Sequence, residues 1–139
     1  MIAITTNSVS SAAIPAQSAA LLAVSGRIML AAIFVLSGFS KIADPAYTLG
    51  YINSVGLPLP YLAGAIAVEV FGGFALALGF RTRLVGLVLA LFSVVTALVF
   101  HSALSDQNQF IHFFKNIAMA GGLLQVAAFG PVRFGIDRS

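Results

Sequence analysis

The chain has 139 residues, 60% of them hydrophobic and 8% charged, with a formal net charge of +3 and a mean hydropathy of +1.04. Water-soluble domains carry roughly 25% charged residues, and a soluble core of this size cannot hide so much apolar surface. An ordinary soluble domain is therefore excluded. The absence of cysteine excludes a disulfide, a thiol relay and any Cys-ligated iron–sulfur or zinc centre.

Residues 1–18, MIAITTNSVSSAAIPAQS, hold no charged side chain. A cleavable signal peptide begins with a basic segment, so this stretch is expected to be a flexible or interfacial tail before a retained span. The first apolar run, Ala20 to Ser40, contains Arg27 and ends at Lys41, Asp44 and Pro45. In the long loop that follows, YTLGYINS is suited to a short interfacial helix, since aromatics with polar tips favour that depth. The second run, Pro60 to Phe80, opens on a proline suited to a helix's first turn and carries Glu69. Arg81-Thr82-Arg83 is so short a link that the second and third runs must form an antiparallel hairpin. The third run, Leu84 to Phe100, is the most uniformly apolar and looks most like scaffold. The fourth, Ile111 to Phe129, is polar near its start and is closed by Gly130-Pro131.

Each run is about as long as a helix needs to cross a bilayer, roughly 20 residues. The predicted fold class is all-α: a four-transmembrane-helix, up-down-up-down bundle over residues 19–130, with a short cytoplasmic tail over 131–139. One side of the bundle carries Arg81, Arg83, Arg133 and Arg138 against Asp137; the other has Lys41 against Asp44 and Asp106. The positive-inside rule places the arginine side and both termini in the cytoplasm of a bacterial or archaeal inner membrane. The basic residues form no stripe that could track phosphates, so no nucleic-acid partner is expected.

An intramembrane charge is costly and needs a reason. Arg27, Glu69 and Lys115 all fall inside the apolar runs, with Glu69 closest to mid-membrane at a rise of about 1.5 Å per residue. Glu69 is expected to neutralise both Arg27 and Lys115. Two readings follow. Such pairs can fix helix register, or Glu69, Lys115 and Asn116 can line an outward-facing cavity that binds a polar head group or moves a proton. His101 and His112 sit on the same outer side, near Lys41. Two imidazoles without a paired acid make no metal site; a bis-histidine haem would need both rings turned inward at one depth, and interfacial hydrogen bonding is the plainer reading. Gln125 is expected to pack between helices, and Phe110, Phe113 and Phe114 to face lipid and neighbouring helices.

The segment GRIMLAAIFVLSGFSKI, and after a polar loop GLPLPYLAGAIAVEVFGGFALALGFRTRLVGLVLALF, resemble the DoxX family of small four-helix membrane proteins. The marks are Arg27, SGFSK at Ser37 to Lys41, Glu69, Gly72 and Gly73, GFRTR at Gly79 to Arg83, and KNIAMAGGLL at Lys115 to Leu124. The resemblance covers about residues 21–130 and implies a membrane component of redox systems. The family takes its name from a subunit of an archaeal thiosulfate:quinone oxidoreductase. Other relatives are linked to oxidative-stress or thiol-detoxifying complexes with soluble enzymes.

The leading expectation is a membrane subunit of a redox system that meets a membrane quinone. Whether the chain is itself an enzyme is left open, because it has no flavin or nicotinamide fingerprint and its electrons would come from a soluble redox enzyme partner. The alternatives are a non-catalytic anchor or assembly factor for a soluble oxidoreductase, and a small-solute transporter. Candidate ligand or polar-core residues are Arg27, Lys41, Glu69, His101, His112, Lys115 and Asn116. Several glycines on the spans suggest a homo-oligomer or hetero-complex.

Overall fold

The computed structural model describes residues 13–137. Its elements are α1 (Ala16–Ala43), α2 (Pro45–Ser54), α3 (Pro60–Leu78), α4 (Thr82–Phe100) and α5 (Gln107–Phe129). Of these, α1, α3, α4 and α5 are long and apolar enough to cross a membrane. The chain is thus an all-α bundle of four spans running up, down, up and down. The short α2 fills the expected interfacial loop. Residues 1–12 of the expected N-terminal tail lie outside the described residues, as does Arg138, whereas Ala16 to Ser18 already belong to α1.

Local chemistry sets the element ends. Pro45 starts α2 immediately after Asp44, whose carboxylate accepts from the Tyr47 N–H at 3.3 Å. Gly79 ends α3 in the left-handed region at φ 68, and its N–H returns to the last turn of the helix. Asp106 caps α5 by accepting from the Gln109 N–H at 2.9 Å.

Burial is inverted relative to a soluble protein. Met29 is 74% exposed and Phe71 75%, while Arg27 and Glu69 are each 4% exposed. Large apolar side chains pointing outward and charges pointing inward suit a hydrocarbon solvent. The bundle interior is Phe34, Leu76, Leu89 and Leu123 with small residues between them.

The closest helix pairs are α1 with α3 and α4 with α5. Missing side chains let them approach. A Cβ on Gly38 would meet Val70 Cγ2 at 2.5 Å, and one on Gly73 would meet Val35 Cγ2 at 2.7 Å. A Cβ on Gly86 would meet the Leu123 carbonyl oxygen at 3.1 Å. In lipid, where apolar burial gives helices little reason to associate, such close contact is what holds them together. The α3–α4 hairpin that the short link dictates is present, but it packs less closely than either of those pairs.

Candidate functional site

Away from the Arg81–Arg83 turn, α1 and α3 place a lysine, a serine and a glutamate together. Ser37 and Lys41 are one helical turn apart and share a face of α1. Lys41 Nζ donates to Ser37 Oγ at 2.8 Å and to Glu69 Oε1 at 3.0 Å. The Ser37 hydroxyl donates to the same Oε1 at 3.0 Å. Nζ is also 2.8 Å from Glu69 Oε2. Both carboxylate oxygens of Glu69 thus lie within ion-pair distance of the one ammonium group.

This pairing corrects the expected one. Glu69 is neutralised by Lys41, not by Arg27 or Lys115. α1 continues to Ala43 instead of stopping at Ser40, so Lys41 is a helical residue turned inward one turn beyond Ser37. Arg27 lies near the opposite end of the bundle. Its guanidinium donates to the Pro131 carbonyl at 2.9 Å and also to the Phe134 carbonyl, with Ala77 O at 3.5 Å. It therefore ties the segment after α5 to the end of α3. Lys115 is exposed and makes no ion pair among the described residues.

Around Glu69 lies a cavity of 380 Å³ whose lining includes Lys41, Tyr61, Thr96, Phe100, His101 and His112. Tyr47, Tyr51 and Ile52 of α2 form its outer wall. A smaller space of 220 Å³ shares Ser37, Lys41, Glu69 and Thr96 with it and runs toward Lys115, Asn116 and Met119. Thr96 Oγ1 is buried without a hydrogen-bond partner among the described residues. An unpartnered hydroxyl and a lysine–carboxylate pair thus line a pocket with aromatic walls. It can hold a polar ring by accepting and donating hydrogen bonds at once.

His101 and His112 come together there, with ring centroids 5.0 Å apart and planes 24° from parallel. His101 Nδ1 is 3.1 Å from Gln109 Oε1. Asn116 is buried and donates to the His112 carbonyl at 2.9 Å, so its amide is spent partly on its own helix. Among the described residues no group of three or more His, Cys, Asp or Glu could hold a metal ion. On the exposed α2, the bond between the Tyr47 and Tyr51 hydroxyls, 3.5 Å long, pushes the Tyr47 hydroxyl above its ordinary pKa.

Thr96, Tyr61 and Gln109 line the cavity without having been expected there. The span expected to look most like scaffold, α4, also supplies Phe92, Thr96 and Phe100 to the cavity, with the expected His101 just past its end. The available signal was Thr96 itself, a hydroxyl in a run otherwise almost wholly apolar. Gln125 is exposed and packs no helix pair. Phe110, Phe113 and Phe114 cluster with one another, outside the cavity.

Residues 20–102 match the DoxX family. The chain is 37% identical over 112 residues to the inner membrane protein YqjF of Escherichia coli, covering 81% of this chain and 86% of that protein. It is 34% identical over 119 residues to the inner membrane protein YphA of the same organism, covering 81% and 85%. No solved structure matches the chain. With four apolar spans and these relatives, the chain is a multi-pass inner-membrane protein, and it belongs to the DoxX family.

Proposed function

We propose that this protein is the integral membrane subunit of a redox system and that its outer cavity takes the head group of a membrane quinone. The observation that carries the reading is that Thr96 Oγ1, a buried hydroxyl without a partner among the described residues, shares a pocket with aromatic walls with the Lys41–Glu69 pair. A quinone carbonyl accepts hydrogen bonds, whereas the hydroxyls of its reduced form donate them. A site that serves both forms needs both kinds of group. Glu69, Ser37 and the two histidines are the groups positioned to hold or pass the protons of that interconversion. Electrons come from a soluble redox enzyme, and the working unit is an oligomer or hetero-complex. Gly26, Gly64 and Gly121 support this, since each has open space where a side chain would stand.

The test uses the tyrosines. All three tyrosines of the chain line this cavity, and the chain has no tryptophan. In lipid discs, a short-chain quinone should quench tyrosine fluorescence saturably, and Thr96→Val or Lys41→Gln should weaken that response. Absence of saturable quenching would sink the quinone reading.

A second reading, a non-catalytic anchor or assembly factor, is favoured by one fact: Lys41 and Glu69 already satisfy each other's charge. Under it, a soluble enzyme would co-purify without any quinone.

A further inference from the structure

At the other end of the bundle, a cavity of 480 Å³ lies between the start of α4, the end of α5 and the segment that follows. It plays no part in the function proposed above. We propose that it binds the phosphate of an anionic phospholipid from the leaflet on the arginine side.

Its charge is unbalanced toward anions. Arg81, Arg83 and Asp137 all line it, two positive groups against one negative, leaving one positive charge in excess. Asp137 is already committed: Oδ1 accepts from the Arg81 N–H and Oδ2 from the Thr82 N–H, each at 2.7 Å. These bonds satisfy free N–H groups at the start of α4 and leave neither guanidinium hydrogen-bonded to the carboxylate among the described residues. One Nη of Arg83 is held by the Ala127 carbonyl at 3.1 Å and by the Ala128 carbonyl, which fixes the group's direction. Its Nε and other Nη make no hydrogen bond among the described residues. Neither does the Arg81 guanidinium, which also makes no ion pair among them. A phosphodiester carries one negative charge, and guanidinium forks match phosphate oxygens in geometry.

The backbone around the cavity is held in an uncommon conformation. Among the described residues, only Arg81 and Val132 are non-glycine residues with positive φ, at 45 and 58, and both line this cavity. A β-branched residue there is strained, and such strain persists only where the surroundings hold it, often at binding sites. The rim identifies the occupant. Leu84 is 53% exposed and Phe129 70% exposed. Both sit on spanning helices, where acyl chains would lie. Free phosphate has no use for such a rim, whereas a phospholipid does.

The test compares the full-length protein in phosphatidylglycerol and phosphatidylcholine discs, read by thermal unfolding and by the lipid retained in native mass spectrometry. The expected result is a higher transition temperature and a retained lipid with phosphatidylglycerol only. Arg81→Gln should weaken that binding about fivefold, the scale of one basic residue at an anionic surface. Arg133→Gln, an exposed arginine that does not line the cavity, should not. Equal behaviour in the two lipids would overturn the proposal. So would an equal loss in both variants, which would mean diffuse surface charge. Excess inorganic phosphate reproducing the stabilisation in phosphatidylcholine discs would also overturn it, in favour of a free anion. If Arg81→Gln does not fold, the wild-type comparison of the two lipids and phosphate decides alone.

Discussion

Lys41, in the last turn of α1, and Glu69, near the middle of α3, form the one ion pair among the described residues, with Nζ 2.8 Å from Oε2. The lysine's side chain retains 19% exposure and the glutamate's 6%. The pair therefore sits where the cavity opens, half scaffold and half wall. Its geometry relies on Gly38, because a Cβ there would stand 3.3 Å from the Cβ of Glu69.

Glu69→Gln should leave the Lys41 ammonium without its counter-charge. Breaking one side of a buried pair costs about 3 to 5 kcal/mol, reduced here to about 2 kcal/mol because Lys41 can still reach solvent. Adding Lys41→Gln should recover much of that loss, while adding Arg27→Gln should not. Thermal unfolding of the single and double variants in lipid discs checks this. Recovery by Arg27→Gln would contradict the observed pairing.

Arg27→Gln should loosen the segment after α5 without affecting the outer cavity. It removes the donors to Pro131 and Phe134, leaving a buried carbonyl unpaired at a cost of about 1 to 3 kcal/mol. Limited trypsin digestion should cut after Arg133 faster than in the wild type, with quinone-induced quenching unchanged. An unchanged digestion rate would show that the clamp does not hold this segment.

Acid should release the same segment. The N–H groups of Thr82 and, more weakly, Arg81 stabilise the ionised Asp137 and hold its carboxyl below the ordinary value of 3.8. A depressed folded-state pKa means the contribution is complete above the unfolded pKa and is lost as pH falls through the lower folded one. Hydrogen exchange in the first turn of α4 should therefore rise only below about pH 4, and Asp137→Asn should show the raised exchange already at neutral pH. A rise near pH 6 would point to another group.

Gly73→Ala should destabilise the bundle by about 1 to 3 kcal/mol, since the added carbon would meet Val35 N at 3.1 Å, a backbone atom that cannot yield alone. Gly64→Ala has open space around it and should be tolerated. If Gly64→Ala keeps its unfolding temperature but loses a cross-linked dimer, Gly64 lies at a subunit contact.

Single cysteines at Ser54 and Arg133, both exposed, report sidedness. A membrane-impermeant thiol reagent should label Ser54→Cys from outside intact cells and Arg133→Cys only after lysis. The reverse pattern would overturn the orientation drawn from the arginine bias.

Composition and run length alone determined that four helices cross the membrane, because no other backbone arrangement of such apolar runs satisfies its hydrogen bonds in lipid. The expected short helix in the first loop was legible too, from the polar-tipped aromatics of YTLGYINS. What the sequence could not determine is which charge meets Glu69. A straight-helix count puts Arg27 and Lys115 within reach of it and Lys41 past the end of the first span, whereas the actual choice depends on helix rotation and on α1 continuing to Ala43. The rotation is decided by the close approach of Gly38 to Val70 and of Gly73 to Val35, between residues more than thirty positions apart, whereas α1 ends locally at Asp44. For the same reason Thr96 looked like part of a bland span. Only the packing of α4 beside α5, which Gly86 allows, turns its hydroxyl toward the cavity. Periodicity along one helix records apolar length and local caps, but the rotational setting of four helices against one another arises from contacts that no single segment contains.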